Sequence, residues 1–387
     1  MEWKFSTKAI RIGSEPDKTT GSTIPPVYLT STYTQSIPGE PIDGYDYSRC
    51  KNPSRDAFAR CIASLENANY GIATSSGLAA VNIIMQTLPV KSNIIVVDDI
   101  YGGAYRQFTT VLNNYHNYHF CDTTNLENLE KLCNKLQKVD LIWLETPTNP
   151  LLKVTDISGA VQIAKQYKAI TVVDNTFLTP YLQNPINLGA DIIMHSATKY
   201  INGHTDLLAG IITTNNEELH NKMMHVQKTI GNGLSPFESW LALRGVKTLA
   251  VRMDKHQDNT YKVAEFLKNH PKIQQVIYPG FKDFKGYDTM KKNCNANFKG
   301  GGMISFYIDT DFNGAAKFLG SLKIIQLAES LGGIESLVCI PARMTHASVP
   351  KSLRETNGIT DNLIRISIGI ENIEDIIQDL SSSLDKC

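Results

Sequence analysis

The sequence lacks several features that would assign a protein to a class at once. Its formal net charge is zero, because 38 Lys and Arg balance 38 Asp and Glu. No excess charge therefore steers it toward nucleic acid or an anionic membrane. No apolar run approaches the roughly 20 residues that a membrane-spanning helix needs. The first residues, Met-Glu-Trp-Lys-Phe-Ser-Thr-Lys, contain no apolar core of a signal peptide, so a cytoplasmic location is expected.

The cysteines also lack the spacing of a structural site. Their number is odd, at seven, and no two of them form a CxxC pair. They lie at positions 50, 61, 121, 133, 294, 339 and 387. This pattern favours free thiols in a reducing compartment over a disulfide framework or a zinc site.

Length and composition are those of a large globular protein. The chain has 387 residues, of which 42% are apolar and 20% charged, enough for a large core in two or three domains. Residues 1–48 contain several prolines and no sustained periodicity, so they are predicted to form an extended arm. We expect this arm to contact a neighbouring subunit; the alternative is a segment lying along its own surface. A large domain is predicted at 49–238 and a C-terminal domain at 239–387.

Short apolar runs alternate with helical patterns in the large domain. The runs cover residues 94–97, 141–144, 171–173, 192–194 and 209–214. Strands separated by helices indicate an α/β fold with a mostly parallel sheet covered on both faces, and the last run is expected to join by a different connection. The first four runs all lead into polar or ionisable residues. Because ligands bind beyond the carboxyl ends of strands in open α/β sheets, this edge is predicted to carry the site.

Beyond residue 240 the pattern changes. One long helix is predicted over residues 237–267. Short strands then alternate with helices at residues 275–278, 302–306, 336–339 and 363–368. This pattern indicates a smaller α+β domain packed against the first.

Residues 190–210 hold a lysine in an unusual setting. Lys199 follows the fourth apolar run and lies among hydroxyl residues, glycines and two histidines. A free lysine has a pKa of about 10.4; burial lowers that pKa and makes the amine a nucleophile for Schiff-base chemistry. The usual partner of such a lysine is pyridoxal phosphate (PLP), which stabilises carbanions. Taken alone, a lysine here is more often a solvated surface residue.

Other residues supply what that cofactor requires. Residues 75–78 open a helix whose amide groups can bind phosphate, and Ser196 and Thr198 add hydroxyls. Asp174 ends a buried strand and can hold the pyridine nitrogen, while Tyr101 can stack on the ring. Each has an ordinary alternative as a helix cap, a loop cap or a packing residue. The signal is that all of them lie with the lysine at one edge of the predicted sheet.

These residues fall within motifs of a known family. The chain resembles the Cys/Met-metabolism PLP-dependent enzymes, which include the cystathionine γ-lyases, γ-synthases and β-lyases and the methionine γ-lyases. The motifs are Tyr47-Ser-Arg49-Cys-Lys-Asn-Pro53, Ser76-Gly-Leu-Ala-Ala80, Asp99-Ile-Tyr-Gly-Gly103, Glu145-Thr-Pro-Thr-Asn-Pro150, Val173-Asp-Asn-Thr-Phe177, Ser196-Ala-Thr-Lys-Tyr200 and Leu363-Ile-Arg-Ile-Ser-Ile-Gly369. The resemblance covers nearly the whole chain and implies the aspartate-aminotransferase-like fold (fold type I).

The resemblance implies a role for each matching residue. Lys199 would form the Schiff base and move protons between substrate carbons, assisted by Tyr101. The implied cofactor-binding residues are Lys199, Asp174, Tyr101, Gly77, Leu78, Ser196, Thr198, Tyr47, Arg49, Asn149 and Thr176. The implied substrate-binding residues are Arg365, Arg106, Glu329, Ser330 and Asn149. Tyr47 and Arg49 would reach the cofactor phosphate of a neighbouring subunit, which implies a homotetramer built as a dimer of dimers.

Within the family the chain is most similar to the cystathionine γ-lyases. In Leu327-Ala-Glu-Ser-Leu-Gly-Gly333, Glu329 could contact the distal amino group of cystathionine. We therefore expect α,γ-elimination of L-cystathionine to L-cysteine, 2-oxobutanoate and ammonia, with hydrogen sulfide release from cysteine or homocysteine as a further reaction. Gly102-Gly103 stands where methionine γ-lyases carry a cysteine after the stacking tyrosine. The alternative is γ-replacement on an activated homoserine ester, the cystathionine γ-synthase reaction.

Two interpretations from other classes are weaker. A metal-dependent hydrolase would use His195, His204, Asp206 and Asp174, but their spacings match no common ligand motif. A non-catalytic binding protein is disfavoured because the lysine, the tyrosine and the carboxylate-binding arginine are all present.

Overall fold

The computed structural model describes residues 3–386. Its strands form a seven-stranded sheet, a five-stranded sheet and a two-stranded hairpin. The strands are β1 (Gln35–Ile37), β2 (Glu40–Pro41), β3 (Tyr70–Thr74), β4 (Asn93–Val97), β5 (Asn117–Cys121), β6 (Leu141–Glu145), β7 (Ile170–Asp174), β8 (Ile192–Ser196), β9 (Gly210–Thr214), β10 (Ile273–Ile277), β11 (Met303–Ile308), β12 (Gln326–Leu327), β13 (Leu337–Cys339) and β14 (Leu363–Ser367).

Helices separate most of these strands. They are α1 (Phe5–Arg11), α2 (Pro53–Leu65), α3 (Gly77–Gln86), α4 (Gly102–Arg106), α5 (Leu126–Leu136), α6 (Ile157–Gln166), α7 (Thr179–Leu182), α8 (Glu217–Ile230), α9 (Pro236–Val246), α10 (Leu249–Lys268), α11 (Tyr287–Asn293), α12 (Phe312–Ser321), α13 (Lys351–Thr356) and α14 (Ile373–Leu384). None of the helices within residues 3–386 is long and apolar enough to cross a membrane.

The seven-stranded sheet has the strand order β3-β9-β8-β7-β6-β4-β5. The strands from β8 to β5 in this order run parallel, whereas β9 pairs antiparallel with both β8 and β3. The mostly parallel sheet predicted from the alternation of apolar runs and helices is therefore confirmed. The different connection expected for the last run corresponds to the antiparallel strand β9.

The large sheet is covered by apolar side chains on both faces. In β4, Ile94 and Val96 pack in one core together with Trp143. Ile95, between them, packs in a second core together with Leu129. Successive side chains of a strand point to opposite faces, so the two cores lie on either side of the sheet. A strand buried on both faces has no polar face, which explains the unbroken apolar runs in the sequence.

The five-stranded sheet forms the smaller C-terminal layer. Its order is β10-β11-β14-β13-β12, antiparallel except for the β12–β13 pair. Phe306, Phe318, Val263 and Leu380 belong to its core. These residues come from β11, α12, α10 and α14, so the helices pack on this sheet as the α+β pattern predicted.

Some local predictions were wrong. Helix α1 lies in the arm that was predicted to be extended throughout; it has only seven residues, too few to show a sustained apolar periodicity. The single helix predicted over residues 237–267 is two helices, α9 and α10. The chain leaves helical geometry at Thr248, which has φ −107° and ψ 8°.

Two strands of the large sheet were not predicted. β5 lies at the edge of the sheet, and Cys121 is its one buried residue. β3 begins with Tyr70 and Gly71, both only partly buried. Neither strand is buried along its whole length, so neither appears as a continuous apolar run.

The carboxyl ends of the central parallel strands lie side by side. The register pairs Glu145 of β6 with Asp174 of β7, and Asp174 with Met194 of β8. Ser196 ends β8 and pairs with Gly210. The sheet thus brings together residues that are up to 51 positions apart in the sequence (145 to 196), at the edge where a site was predicted.

Candidate active site

A cavity of about 360 Å³ opens at this edge of the large sheet. This volume lies within the range of small-molecule sites, roughly 300–1,000 Å³. Of the residues predicted from the sequence, those that line it are Gly77, Leu78, Tyr101, Asn149, Asp174, Thr176, Ser196, Thr198, Lys199, Glu329, Ser330 and Arg365. The first nine come from the part of the chain that builds the large sheet, and the last three from the part that builds the small one. The cavity is therefore shared between the two sheets.

Lys199 lies in the turn that follows β8. Its backbone carbonyl accepts a hydrogen bond from the amide of Gly203 at 2.8 Å, and its Nζ donates to Oγ of Ser330 at 2.7 Å. Burial and the positive charge of Arg365 lower the pKa of Lys199 to about 8, although Glu329 acts in the opposite direction. A lysine with such a pKa has a substantial neutral fraction near neutral pH and can act as a nucleophile.

The loop that carries Ser330 is held tightly against the lysine turn. Ser330 has a φ of 102°, a conformation that residues with a side chain rarely adopt. Gly332 has a φ of +75°, and a Cβ at this position would lie 2.6 Å from the amide nitrogen of Tyr200. Only glycine permits this approach. The close packing brings the Ser330 hydroxyl within hydrogen-bond distance of the lysine amine.

Two carboxyl groups lie next to each other in the wall of the cavity. Burial raises the pKa of Asp174, and hydrogen bonds from Thr176 lower it, including one from the amide of Thr176 at 3.0 Å. Burial and the nearby Asp174 raise the pKa of Glu145 well above its usual range. Two buried carboxylates side by side repel each other, so the site favours a cationic partner for one of them.

Glu145 was noted in the sequence only as a strand-terminal residue, yet it organises the cavity wall. Its Oε1 accepts a hydrogen bond from the amide of Asn149 at 2.8 Å. Its Oε2 accepts one from the amide of Tyr101 at 3.1 Å. Glu145 thus fixes the backbone of two predicted site residues. Its position at the end of a strand next to the strand of Asp174 could have indicated a site residue. The backbone amides that it binds could not be identified from the sequence.

The N-terminus of α3 opens into the cavity beside β8. Oγ of Ser76 accepts a hydrogen bond from the amide of Ala79 at 3.1 Å and caps the helix. A Cβ at Gly77 would lie 2.9 Å from Cβ of Ser196, so glycine lets the helix approach the strand. Oγ1 of Thr198 lies within the same wall and accepts from the amide of Ala209 at 2.9 Å. Free amides at a helix start together with two hydroxyls form an anion site.

Arg365 presents a second anion-binding group. Its side chain is almost completely buried, with 2% of the residue exposed. NH1 donates to Oδ1 of Asn149 at 2.9 Å, and NH2 donates to the carbonyl of Ser330 at 3.0 Å. Within residues 3–386, Nε has no hydrogen-bond partner. A buried guanidinium that contacts neutral oxygens and has a free donor is suited to a carboxylate ligand.

Comparison with known proteins decides the family. A sequence model of the Cys/Met metabolism PLP-dependent enzymes matches residues 6–385. The chain belongs to this family. It is 46% identical to a cystathionine gamma-lyase of Dictyostelium discoideum over 387 residues, covering 100% of this chain and 98% of that one. It is 48% identical to a cystathionine beta-lyase of Lactococcus lactis over 383 residues, covering 99% of both.

A solved structure gives the same result for the fold. The cystathionine gamma synthase of Xanthomonas oryzae pv. oryzae in complex with cystathionine has a TM-score of 0.96 and 37% identity, covering 100% of this chain and 99% of that chain. The protein is therefore a PLP-dependent enzyme of fold type I, as expected from the motifs. The similar proteins are named for γ-lyase, β-lyase and γ-synthase activity, so membership of the family does not choose the reaction.

The cavity of this PLP-dependent enzyme fits its cofactor. Lys199, with its lowered pKa, can bond the aldehyde. Asp174 is partly buried, lies next to a second carboxyl group and gains from a pyridinium partner. The start of α3, where a Cβ on Gly77 would fill the gap to Ser196, can take the phosphate. Each of these features lines the same cavity.

Three predicted residues do not line the cavity of this chain. Arg106 is exposed at the last position of α4. Tyr47 is 44% exposed, and NH1 of Arg49 donates to the carbonyl of Lys228 at 2.6 Å. The guanidinium of Arg49 lies 5.4 Å from the centre of the Tyr47 ring. The prediction for Tyr47 and Arg49 concerned a neighbouring subunit, and their position outside the cavity of their own chain is compatible with it.

Further lining residues were not predicted as part of the site. They are Val81, Ala104, Glu145, Pro147, Phe177, Met194, Leu208, Leu331 and Thr345, whereas Ser76 belongs to the predicted helix start at residues 75–78. Most are apolar, and an apolar residue at the end of a strand or helix cannot be told from a core residue by sequence pattern alone. Within residues 3–386, no group of three or more His, Cys, Asp and Glu side chains is arranged to hold a metal ion.

The pKa of Lys199 has a kinetic consequence for cofactor uptake. The rate at which apo-protein binds PLP should rise with pH and level off above about pH 8, because the neutral amine is the attacking form. Arg365→Met removes a positive charge that lowers this pKa, so the midpoint should move to higher pH, whereas Arg343→Met at the surface should not move it. Stopped-flow visible absorbance measures the rate. A wild-type midpoint at the free-lysine value of about 10.4 would contradict the buried setting.

Proposed function

We propose that this enzyme catalyses the α,γ-elimination of L-cystathionine, with water, to L-cysteine, 2-oxobutanoate and ammonia. The observation that carries the proposal is that Glu329 and Arg365 line one cavity together with Lys199. Cystathionine has an ammonium and a carboxylate at each end. Arg365 can bind the carboxylate beside the reacting carbon, and Glu329 can bind the ammonium at the far end. The γ-lyase name of the Dictyostelium relative supports the same reaction.

The cofactor supplies an electron sink for carbanions formed on the substrate. We assign its pyridine nitrogen to Asp174, which the hydrogen bonds from Thr176 keep oriented. Its phosphate is assigned to the amides of Gly77 and Leu78 and the hydroxyls of Ser196 and Thr198. Tyr101 would cover the ring, and Asn149 would contact both the cofactor and the substrate carboxylate, since its side chain bonds Arg365.

Lys199 is the residue assigned to proton transfer. Elimination at the γ-carbon needs protons removed from both the α- and the β-carbon, and a single flexible amine can serve both positions. The Ser330 hydroxyl accepts a hydrogen bond from Nζ of Lys199 and would hold the amine in place between these steps. With a pKa near 8, the amine can both accept and return a proton close to neutral pH.

Two related reactions are favoured by specific similarities. The Lactococcus relative is named cystathionine beta-lyase, and β-elimination of cystathionine gives homocysteine, pyruvate and ammonia. The Xanthomonas neighbour is named cystathionine gamma synthase. Cystathionine carries an amino acid group at both ends. In either orientation, one carboxylate can therefore bind Arg365 while the ammonium of the other end binds Glu329. The direction of cleavage then depends on where the sulfur lies relative to Lys199.

The identity of the keto acid tests the proposal. Purified enzyme supplied with L-cystathionine should release 2-oxobutanoate and cysteine in equal amounts, measured by chromatography of the derivatised products. Pyruvate and homocysteine as the main products would establish β-elimination instead. Cystathionine formation from cysteine and an activated homoserine ester, with negligible cleavage, would establish the synthase. Release of hydrogen sulfide from cysteine and homocysteine can be followed in the same preparation.

We also propose that the active unit is a dimer within a homotetramer. Tyr47 and Arg49 lie next to each other outside the cavity of their own chain and are assigned to the cofactor phosphate of the neighbouring subunit. Large apolar side chains in the arm are exposed, among them Leu29 at 73% and Ile42 at 60%. Exposed apolar residues of this size suit a subunit interface. Sedimentation velocity tests the assembly, and a monomer at assay concentration would contradict it.

A further inference from the structure

A second pair of ionisable side chains lies behind the cavity and has no part in the assignments above. Nε2 of His195 is 2.6 Å from Oε1 of Glu66, and both side chains are 0% exposed. Glu66 follows the last residue of α2 as its C-cap, and His195 lies in β8. Neither residue lines the cavity. A buried acidic and basic pair is costly to desolvate, so its position needs a cause.

Glu66 is held by several donors besides the histidine. Its Oε1 accepts a hydrogen bond from Nδ2 of Asn175 at 2.8 Å, and its Oε2 accepts one from Nδ2 of Asn184 at 3.4 Å. Nδ2 of Asn175 also donates to the carbonyl of Gln183 at 2.8 Å. Three nitrogen atoms therefore surround one buried carboxyl group and fix its orientation. The pair lies within a network that joins α2 to the ends of β7 and β8.

This network ends at the carboxylate assigned to the pyridine nitrogen. Asn175 directly follows Asp174, and its amide donates to the carbonyl of Met194 at 2.9 Å, next to His195. Met194 and Ser196 line the cavity, whereas His195 between them does not. Strand alternation therefore turns the imidazole to the opposite face of the sheet. The pair thus lies on the face of the sheet opposite the cavity, whereas the cofactor would bind Asp174 from the cavity side.

The pair also acts on Asp174 through its charge. Burial raises the pKa of Asp174, and a positive charge on His195 lowers it. The neighbouring carboxyl group of Glu145 is itself disfavoured as an anion by burial and by Asp174. When it carries a proton, the imidazole of His195 therefore favours the ionised form of Asp174, the form that holds a pyridinium.

We propose that Glu66 and His195 form a positioning pair that keeps Asp174 ionised and oriented, and so keeps the pyridine nitrogen of PLP protonated. Glu66 fixes Asn175, the residue next to Asp174, and His195 holds Glu66 in place through its 2.6 Å contact. The proposal rests on the assignment of Asp174 to the pyridine nitrogen. It adds two residues, separated by 129 positions in the sequence, to those on which the chemistry depends.

The test reads the protonation of the pyridine nitrogen directly. Holoenzyme is prepared with PLP labelled with ¹⁵N in the ring, and the ¹⁵N chemical shift is measured over a range of pH. Wild type should give the shift of a protonated nitrogen, and Glu66→Gln and His195→Gln should each move it toward the unprotonated value. In both variants kcat should fall by about tenfold, with KM for cystathionine changing by less than about twofold, since Arg365 is untouched. Glu66→Asp keeps the charge and should restore most of the wild-type shift.

A matched control separates this role from simple stabilisation. His116 is a histidine of the large domain with 5% exposure, and its Nε2 contacts the carbonyl of Met85 at 3.1 Å, away from the cavity. His116→Gln should lower the melting temperature and leave the ¹⁵N shift unchanged. If Glu66→Gln and His195→Gln behave as His116→Gln does, the positioning role is wrong. If one of these two variants does not fold, the other variant is compared with Glu66→Asp. A folded variant with the wild-type ¹⁵N shift and the wild-type kcat overturns the proposal.

A third variant distinguishes the failure of this proposal from that of the assignment beneath it. Asp174→Asn removes the carboxylate itself and should give an unprotonated ring nitrogen. If Asp174→Asn changes the ¹⁵N shift and the Glu66 and His195 variants do not, only the positioning role fails. If Asp174→Asn leaves the shift of wild type, the pyridine-nitrogen assignment fails, and the positioning proposal fails with it.

Discussion

Lys199→Ala should abolish the visible absorption of bound PLP and lower kcat by about 10⁴-fold. Among the described residues that line the cavity, Lys199 is the one lysine, so no other amine there can bond the cofactor or move protons between substrate carbons. Its loss removes the covalent attachment and the general base together. Absorption spectroscopy after reconstitution and a keto acid assay measure the two effects separately.

Lys153→Ala is the matched control for this variant. Lys153 also lies in the large domain, is partly buried with 24% of its side chain exposed, and bonds Asp98 at 2.9 Å. Its loss should affect stability while the protein keeps its colour and its kcat. A Lys199→Ala protein that stays coloured and turns over substrate would assign the Schiff base to a different lysine and would remove the basis for the catalytic assignments.

Arg365→Lys should lower kcat/KM for cystathionine by about 10³-fold, equivalent to about 4 kcal/mol. Most of this loss should appear in KM. Lysine keeps the positive charge but cannot hold Asn149, Ser330 and a carboxylate at once, because it lacks the planar fork of the guanidinium. The visible absorption of the bound cofactor should be retained, since Arg365 is not among the residues assigned to PLP.

Arg343→Lys provides the comparison. Arg343 also lies in the C-terminal part and binds a carboxylate through two nitrogens, with Nε 2.9 Å from Oδ1 of Asp361 and NH2 2.5 Å from Oδ2. Its side chain is 55% exposed, and exposed pairs contribute little. Steady-state kinetics on both variants separate a substrate-binding arginine from a surface one. An unchanged KM in Arg365→Lys would assign the carboxylate to another residue.

The site residues that could be predicted from the sequence are polar or ionisable residues that directly follow a predicted strand. Asp174 and the lysine turn follow buried apolar runs, and parallel strands end at one edge, so their meeting follows from topology. The family motifs added Arg365 and Glu329, which lie far along the chain and reach the cavity through the small sheet. Topology from the large domain alone gives no reason for their presence.

Contacts behind the sheet could not be predicted. Glu66 follows a helix and looks like a capping residue, while His195 interrupts an apolar strand and looked at first like a catalyst or a metal ligand. Their 2.6 Å contact depends on how α2 packs against the sheet, and no local periodicity encodes that packing. The role of Glu145 could not be predicted either. Its two carboxyl oxygens accept hydrogen bonds from backbone amides, which any residue could supply.

The division of the cavity between the two sheets has a consequence for how substrate choice can change. The residues assigned to PLP lie between positions 47 and 199, whereas Glu329, Ser330, Thr345 and Arg365 all lie beyond position 328. On these assignments, the residues for the cofactor and those for the far end of the substrate are encoded in mostly separate stretches of the gene, with Asn149 assigned to both. A library confined to codons 329–365 can explore new specificities while every variant keeps the residues assigned to PLP, although Ser330 bonds Lys199 and Arg365 bonds Asn149 across the two stretches. At these contacts the two stretches must evolve together.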